Sequence, residues 1–546
     1  MRGTDLSLIV FGPVVLGIGL FFARPTDRRA LMDWALVSCL VPFMYSLSLL
    51  WTYNPHGPAI QCMTPLHFRN WISISGRLNI QYYMGIDGLS LPLVLLTTFL
   101  TPIAIFTTRN ATWRSYREFL FAILALETCA IGCFVALDLI LFHIFWVAVL
   151  IPAFFIISLW GGGNRIRSAT KFALLSMFGS ALMLAGILAL CSLSETRTFN
   201  LPQLYNDSGV ASLPAGAQAW LFWAFLIPFA ISAAIFPLHT WLPDACADAP
   251  TAGNILVTAV LTKLGAYGML RICLPMFPAA SAHFAPVLCV FAVLTILYGA
   301  WVAIAQRDIR RLLAYSTISH MGLIVLGIFA LTANSITGAA LHMVNHGLVI
   351  ASLFVAAAIL RARTGTWRME NLGGLIGSMP ILGAVMLILV FAYIGLPPLS
   401  LFVSEFLLLM GAFEAGVGSS LLMTLGAFAV TGIIWWAVAM LSMYQRVMLG
   451  KPSRPPSANI RDIGLAEILV FVPLIALIIW IGLSSAPITN RMEPSVLRTL
   501  DLAAREIPAA VENESALPVP RSLVTPDSST GPDALRPFAD EGGGTE

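Results

Sequence analysis

Stretch after stretch of this chain is apolar for the length of a bilayer crossing, and that repetition constrains its fold more than any single residue. A helix needs about 20 such residues to span the hydrocarbon. Runs of this kind recur from about residue 7 to residue 485. In lipid a backbone must satisfy its own hydrogen bonds, so the runs are helices. Fourteen spans are expected, at about 7–23, 32–51, 86–107, 118–136, 138–160, 170–193, 217–245, 250–272, 284–305, 312–331, 335–360, 377–411, 418–445 and 464–485. The composition agrees: 58% of residues are hydrophobic and 10% charged, against about 25% charged in soluble domains. The expected fold class is an all-α integral membrane protein. The first run has charges on its far side and no small-residue cleavage pattern, so it reads as a retained span, not a removed signal.

Two spans carry breaks. The seventh is interrupted around Phe236-Pro237-Leu238-His239 and the twelfth around Gly395-Leu396-Pro397-Pro398. Proline inside a helix removes a donor and bends the rod, which lipid tolerates only where protein or water covers the gap. The breaks lie five spans apart, and an odd offset inverts orientation. Spans 4–8 and 9–13 are therefore expected to be inverted repeats, a pattern in which paired broken helices point to an ion path near the midplane. The expected division is spans 1–3 with an external hairpin (1–115), a first five-helix repeat (116–275), a second (280–447), a last span (460–485) and a disordered tail (486–546).

Loop charges set the expected orientation. Arg24, Arg28 and Arg29, then Arg109, Arg114 and Arg117, Arg165 and Arg167, Arg307, Arg310 and Arg311, Arg361, Arg363 and Arg368, and finally Arg446, Lys451, Arg454 and Arg461 follow spans one, three, five, nine, eleven and thirteen. The alternate loops hold only Arg69, Arg77 and Arg197. The positive-inside rule makes the basic loops cytoplasmic and puts both termini outside. Between spans two and three, WISISGRLNIQYYMGIDG alternates apolar and polar residues around a glycine, as a short hairpin does. The eight cysteines are scattered through apolar segments and read as small buried hydrophobes. No Gly-rich nucleotide loop, iron–sulfur spacing or soluble redox domain is visible, and a net charge of +3 does not suggest nucleic acid.

Against this apolar background a few ionisable groups stand out. Lys263 lies in the middle of span eight and Glu405 just beyond the second break. An ionisable group at that depth costs about 2.5–3.5 kcal/mol on insertion scales. It persists where it carries protons or pairs with something that does. His320 lies on span ten, and His342 and His346, four apart on span eleven, share a helix face. His239 sits at the first break and His143 on span five. Burial disfavours the charged forms of lysine and glutamate, and histidine titrates near neutrality already. Lys263, His320, His346 and Glu405 form the candidate proton relay. His239, His342 and His143 are either relay or structural groups. Lys263 and Glu405 have an alternative as a structural ion pair, and His239 as a cap on the broken helix. Asp138 and Glu127 receive no role.

Several strings are more specific. YYMGIDGLSLPLVLLT, FPLHTWLPDACADAPTAG, LTKLGAYGMLR, QRDIRRLLAYSTISHMG and GLPPLSLFVSEF resemble the chain M family of bacterial respiratory complex I, the proton-translocating NADH–quinone oxidoreductase. That family belongs to the wider group of antiporter-like membrane subunits. The resemblance covers nearly all of residues 1–485. It implies a fourteen-helix bundle that conducts protons along a central line of charged residues, driven by quinone reduction elsewhere in the complex. It assigns the central lysine to Lys263, relay histidines to His320 and His346, and the exit carboxylate to Glu405. It also implies no redox cofactor on this chain. Flavin, iron–sulfur clusters and the quinone site fall to partner subunits. The expected partners are the other membrane-arm subunits, neighbouring antiporter-like chains among them, and the lipid of a bacterial inner membrane.

Two departures from the family pattern bear on mechanism. A span-five motif of the form FWE, two variable residues, then L-[IV]-P reads FWVAVLIP here, placing Val147 where the family has glutamate. The lysine before the span-seven break is Ser232. In the family these two form a gating ion pair. Removing one partner of a buried pair costs about 3–5 kcal/mol, whereas replacing both is often near neutral, so the double change is coherent. HTWLPDAC also has Cys246 where histidine is usual. His143, one turn before Val147, is a possible substitute for the lost glutamate. Rival readings follow: a subunit of a cation/proton antiporter or of a membrane-bound hydrogenase, or a non-pumping structural paralogue of chain M.

Overall fold

The computed structural model describes residues 3–22, 27–64, 70–74, 78–111, 113, 115–195, 197–207, 210, 213–451 and 460–504. Arg24, Arg69, Arg77, Arg114 and Arg454, used above for orientation, lie outside the described residues. Eleven helices are long and apolar enough to cross a membrane, and three shorter apolar helices bring the described spans to fourteen. They are α1 (Leu6–Phe21), α2 (Arg28–Thr52), α3 (Ser90–Phe106), α4 (Tyr116–Val135), α5 (Leu139–Trp160), α6 (Arg165–Leu193), α7a (Ala215–Ser232), α8 (Thr251–Met276), α9 (Pro278–Ile304), α10 (Ile309–Phe329), α11 (Ala333–Thr364), α12a (Pro380–Tyr393), α13 (Ser420–Leu449) and α14 (Leu465–Leu483). Continuations follow two of these: α7b (Trp241–Asp248) and α12b (Ser400–Gly416).

The breaks are alike in detail. Each turns through a left-handed residue, Ala234 (φ 55°) or Gly395 (φ 71°), three positions before a cis proline, Pro237 or Pro398. The second helix of each repeat also starts alike. Asp138 caps α5 by accepting from Ile140 N and Leu141 N, while its own backbone bridges Asn200 in the loop after α6. Asp308 caps α10 by accepting from Arg310 N, and it bridges Arg368 after α11. A side-chain oxygen here satisfies donors that a helix start leaves open. The same devices recur five spans later, as inverted repeats require.

Helices α8, α10 and α11 are almost wholly buried, whereas α13 and α14 present broad apolar faces outward. Buried α8 is not a uniform α-helix. Wide π turns at Val257–Leu261 and Met269–Cys273 flank its central residues, a distortion found often at functional sites. Gly265 lets α8 approach the end of α7a closely: a Cβ there would lie 2.3 Å from Phe229 O.

Between α2 and α3, β1 (Asn70–Ile74) and β2 (Leu78–Gln81) pair antiparallel, as the alternation indicated. Beyond α14 the outcome differs from expectation. Residues 486–504, assigned above to a disordered tail, form α15 (Ala486–Ala504). Met492, Val496 and Leu500 fall on one face at four-residue spacing and are buried, packing α15 across the ends of α8, α9 and α11. The amphipathic stripe outweighs the polar average composition. Ser495 Oγ accepts from Gly88 N at 2.9 Å and Arg491 Nη2 donates to Leu50 O at 3.2 Å, tying α15 to the bundle. Residues 505–546 lie outside the described residues.

Candidate functional site

Lys263 is wholly buried at the centre of α8. The wide turn before it opens the carbonyl of Thr258, which accepts from Lys263 Nζ at 2.7 Å, and Thr262 Oγ1 lies 3.3 Å away. The third partner is His346 Nδ1 on α11, at 2.8 Å. No salt bridge reaches Lys263 among the described residues, so the ion-pair alternative with Glu405 is not what the geometry contains. Its partners are a carbonyl, a hydroxyl and an imidazole.

From His346 the polar line continues toward α10 and α12b. His346 Nε2 lies 3.4 Å from the Tyr393 hydroxyl at the end of α12a. Tyr393 also meets the His320 ring edge-on, with centroids 4.5 Å apart. The rings of His320 and His346 are 4.8 Å apart, and Trp436 of α13 stacks on His320 at 4.3 Å. His320 Nδ1 and His342 Nε2 are 3.0 Å apart, and His342 Nδ1 lies 3.1 Å from Ser404 Oγ. Glu405, next along α12b, is buried, and its Oε1 has no protein partner. His320, His342 and Glu405 each offer an atom within 4.8 Å of the other two.

One arrangement of protons satisfies every bond. With the Ser404 Oγ proton on Leu401 O and Asn345 Nδ2–H on one lone pair, His342 Nδ1–H takes the other. His342 Nε2 is then bare and accepts from His320 Nδ1–H, leaving His320 Nε2 as the bare atom, which indeed has no protein partner. With Lys263 as an ammonium, one of its three donors faces His346 Nδ1, and His346 Nε2–H then faces Tyr393. Each imidazole thus holds one proton and one lone pair, and only the lone pair of His320 Nε2 has no protein donor.

Gly395 explains where Glu405 sits. Its position, built with a Cβ, would place that atom 2.1 Å from Glu405 Oε2. The carboxylate therefore folds back onto the bend of the broken helix.

The structure brings together Lys263, His346, His320, His342 and Glu405. His239 stands apart, packed among Phe236, Tyr298 and Tyr315 with Nδ1 unpartnered. His143 is buried on α5, also with an unpartnered Nδ1, and no hydrogen bond joins it to the line among the described residues. Val147 is 37% exposed on the outer face of α5. Ser232 Oγ donates to Leu261 O at 3.0 Å, at the end of the wide turn preceding Lys263. Beside it lies a water-sized cavity lined by Trp146, Ser176, Trp241 and Leu264 among others. Cys246 is a buried free thiol. Sequence reasoning missed Tyr393, Ser404, Asn345 and Trp436, which complete the contacts of the histidines. Only Tyr393 had a signal, its place two residues before a bend.

Two family profiles match the chain. One, described as NADH:quinone oxidoreductase/Mrp antiporter, covers residues 136–431. The other, NADH-ubiquinone oxidoreductase chain 4, amino terminus, covers residues 34–133. NADH-quinone oxidoreductase subunit M of Rickettsia prowazekii is 36% identical over 494 residues, covering 90% of this chain and 97% of that relative. The Rhodobacter capsulatus subunit M is 36% identical over 502 residues, with 90% and 95% covered. Among solved structures, a chain of Thermus thermophilus respiratory complex I superposes with a TM-score of 0.80 at 30% identity, covering 91% of this chain and 99% of that one. A chain of the Mrp complex from Dietzia shares the fold at 20% identity, with a TM-score of 0.78. A fourteen-span bundle with paired broken helices around a buried lysine defines an antiporter-like membrane subunit. Within that class, this chain belongs to the subunit M family of NADH–quinone oxidoreductase.

Proposed function

We propose that this chain conducts protons within an NADH–quinone oxidoreductase of a bacterial inner membrane, along Lys263, His346, Tyr393, His320, His342 and Glu405. The observation that carries this reading is the line itself: buried protonatable groups succeed one another from the centre of α8 to the second break, with neutral partners throughout. The amine of Lys263 holds a proton against Thr258 O and passes it to His346 Nδ1. His346 and His320 make no direct hydrogen bond with each other, so one ring turns, beside Tyr393, to close that step. His320 hands a proton to His342 across 3.0 Å, and Glu405 receives it at the bend. The chain supplies no redox chemistry in this reading. Flavin, clusters and quinone belong to other subunits, the basic loops face the cytoplasm, and both termini lie outside.

The test is Lys263→Ala in the whole complex, reconstituted into vesicles. The proton-to-electron ratio falls by this subunit's share while NADH oxidation by the peripheral subunits persists. An unchanged ratio in assembled complex refutes the role of Lys263.

A second reading has a specific observation behind it. Val147 and Ser232 leave the gating pair of the family empty of charge, and Ser232 is instead bound to Leu261 O. A structural paralogue of subunit M that does not pump is compatible with that change. It predicts that wild-type and Lys263→Ala complexes have the same ratio.

A further inference from the structure

We infer that His320, His342 and Glu405 form a binding site for a divalent transition ion of borderline softness, with Zn2+ as the fitting case. Three ligand atoms, two nitrogens and one oxygen, converge to within 4.8 Å of one another from α10, α11 and α12b. All three residues are buried. Two imidazoles and one carboxylate, with a fourth position left open, is a recurrent catalytic-type zinc set. In a tetrahedral site with bonds of about 2.0–2.1 Å, ligand atoms stand about 3.3 Å apart. His320 Nδ1 and His342 Nε2 are already 3.0 Å apart, so that edge opens slightly. The carboxylate closes by up to about 1.5 Å to complete the triangle, a rotamer adjustment for a side chain whose Oε1 has no protein partner.

The surrounding hydrogen bonds prepare the ligands. Metal-bound imidazoles nearly always donate their other N–H to a fixed acceptor. Ser404 Oγ holds His342 Nδ1–H at 3.1 Å and is itself held by Asn345 Nδ2 at 3.2 Å. His342 Nε2 therefore points its lone pair into the site. In the ion-free arrangement His320 keeps its proton on Nδ1, so ion binding moves it to Nε2, and His320 is the one imidazole of the site whose second nitrogen has no protein acceptor. The same three groups end the proposed proton line, so an ion seated among them occupies the route. That blockade rests on the proton-conducting reading, whereas binding does not.

The test counts metal and does not depend on pumping. Purified whole complex in mild detergent is stripped with a chelator, dialysed against micromolar Zn2+, and its zinc counted by mass spectrometry. Wild type retains one equivalent more than complexes carrying His342→Gln or Glu405→Gln. Its zinc K-edge absorption gains a nitrogen/oxygen site that the variants lack. Sites elsewhere in the complex cancel in the difference. Ser404→Ala leaves all three ligands in place but removes the acceptor for His342, and it raises the zinc dissociation constant about tenfold or more. That variant decides the matter should either ligand variant fail to assemble. Equal zinc in wild type and the ligand variants overturns the inference, as does an unchanged dissociation constant in Ser404→Ala. An unchanged proton ratio in Lys263→Ala leaves the zinc result untouched, so the two readings fail separately.

Discussion

Replacing Gly395 by alanine separates the stability of the second break from its use. The residue has φ 71°, where an L side chain costs about 1–2 kcal/mol. The new Cβ would stand 2.1 Å from Glu405 Oε2 and 3.0 Å from its Cδ. Ordinary carbon–oxygen contact needs more than 3 Å, so the carboxylate must retreat by about 1 Å, which a flexible side chain end does cheaply. Folding is therefore expected to weaken by no more than about 2 kcal/mol, and the complex assembles. Misplacing a reacting group by about 1 Å, however, can cost about 100-fold in rate. The assay is NADH-driven proton uptake by vesicles holding the complex, with electron transfer followed in the same sample. The proton-to-electron ratio should fall to that of Lys263→Ala while subunit content stays normal. Gly377→Ala is the control, since nothing lies within 4 Å of its added Cβ. Full proton coupling in assembled Gly395→Ala would refute the argument that Glu405 must sit against the bend.

Two further changes probe what holds the site. Arg271 Nη1 and Asp87 Oδ2 pair at 2.5 Å with both side chains largely buried, and Asp87 also accepts from Ser90 N at 2.9 Å at the start of α3. Asp87→Asn strands the cation and should cost about 3–5 kcal/mol, read as a lowered melting point of the complex in detergent, with partial recovery when Arg271→Met is added. A loss under 1 kcal/mol would show the pair to be solvated. Asp138, just outside α5, is wholly buried, and burial pushes its carboxyl up to about 6, against which bonds from Leu141 N, Gln81 N and Ile140 N pull it down. A carboxyl raised in the folded state binds its proton more tightly there, so stability falls as pH rises from its ordinary value of 3.8 toward 6. Local opening around Gln81 and Asn200, followed by hydrogen exchange corrected for intrinsic rate, should be about tenfold more frequent at pH 7.5 than at pH 5. Asp138→Asn should flatten that dependence, and a flat wild-type profile would count against it.

Much of this was legible in the sequence because the bilayer imposes long signals. Fourteen apolar runs, two proline breaks and a lysine at mid-span follow from a medium that penalises open backbone and buried charge. Lys263, His320, His346 and Glu405 were visible for the same reason, as ionisable letters among apolar ones. Tyr393, Ser404 and Asn345 were not, because a hydroxyl or amide on a membrane helix can bond its own preceding turn, and only the packing of α11 against α12b shows which have other partners. The wide turns around Lys263 were hidden too, since Val257–Leu261 reads as ordinary helix. Helix α15 was lost to averaging: Pro487, Pro494 and several charges masked the stripe of Met492, Val496 and Leu500.

The two breaks differ in the groups that the proposed proton line needs. Counted from each cis proline, Ala234 and Gly395 are equivalent, as are Ser232 and Tyr393, and Asp244 and Glu405, each seven residues after its proline. At the first break the bend residue has a Cβ, and Asp244 is held instead by Lys171 Nζ at 2.9 Å and Arg311 Nη2 at 3.0 Å on a half-exposed edge. At the second the bend residue has none, and Glu405 folds inward toward imidazoles, with no salt bridge reaching it among the described residues. A carboxylate committed to two cations anchors helices, whereas one facing neutral rings is free to exchange protons with them, as the proposed line requires. Ser232 completes the contrast by spending its hydroxyl on Leu261 O, while Tyr393 joins His346 to His320. With Val147 on the outer face, the first repeat contributes Lys263 and little else to the proposed line. Placing the family residues at these positions, Val147→Glu with Ser232→Lys, should therefore leave the route from Lys263 to Glu405 intact, read as an unchanged proton-to-electron ratio in assembled complex, and a changed ratio would refute this.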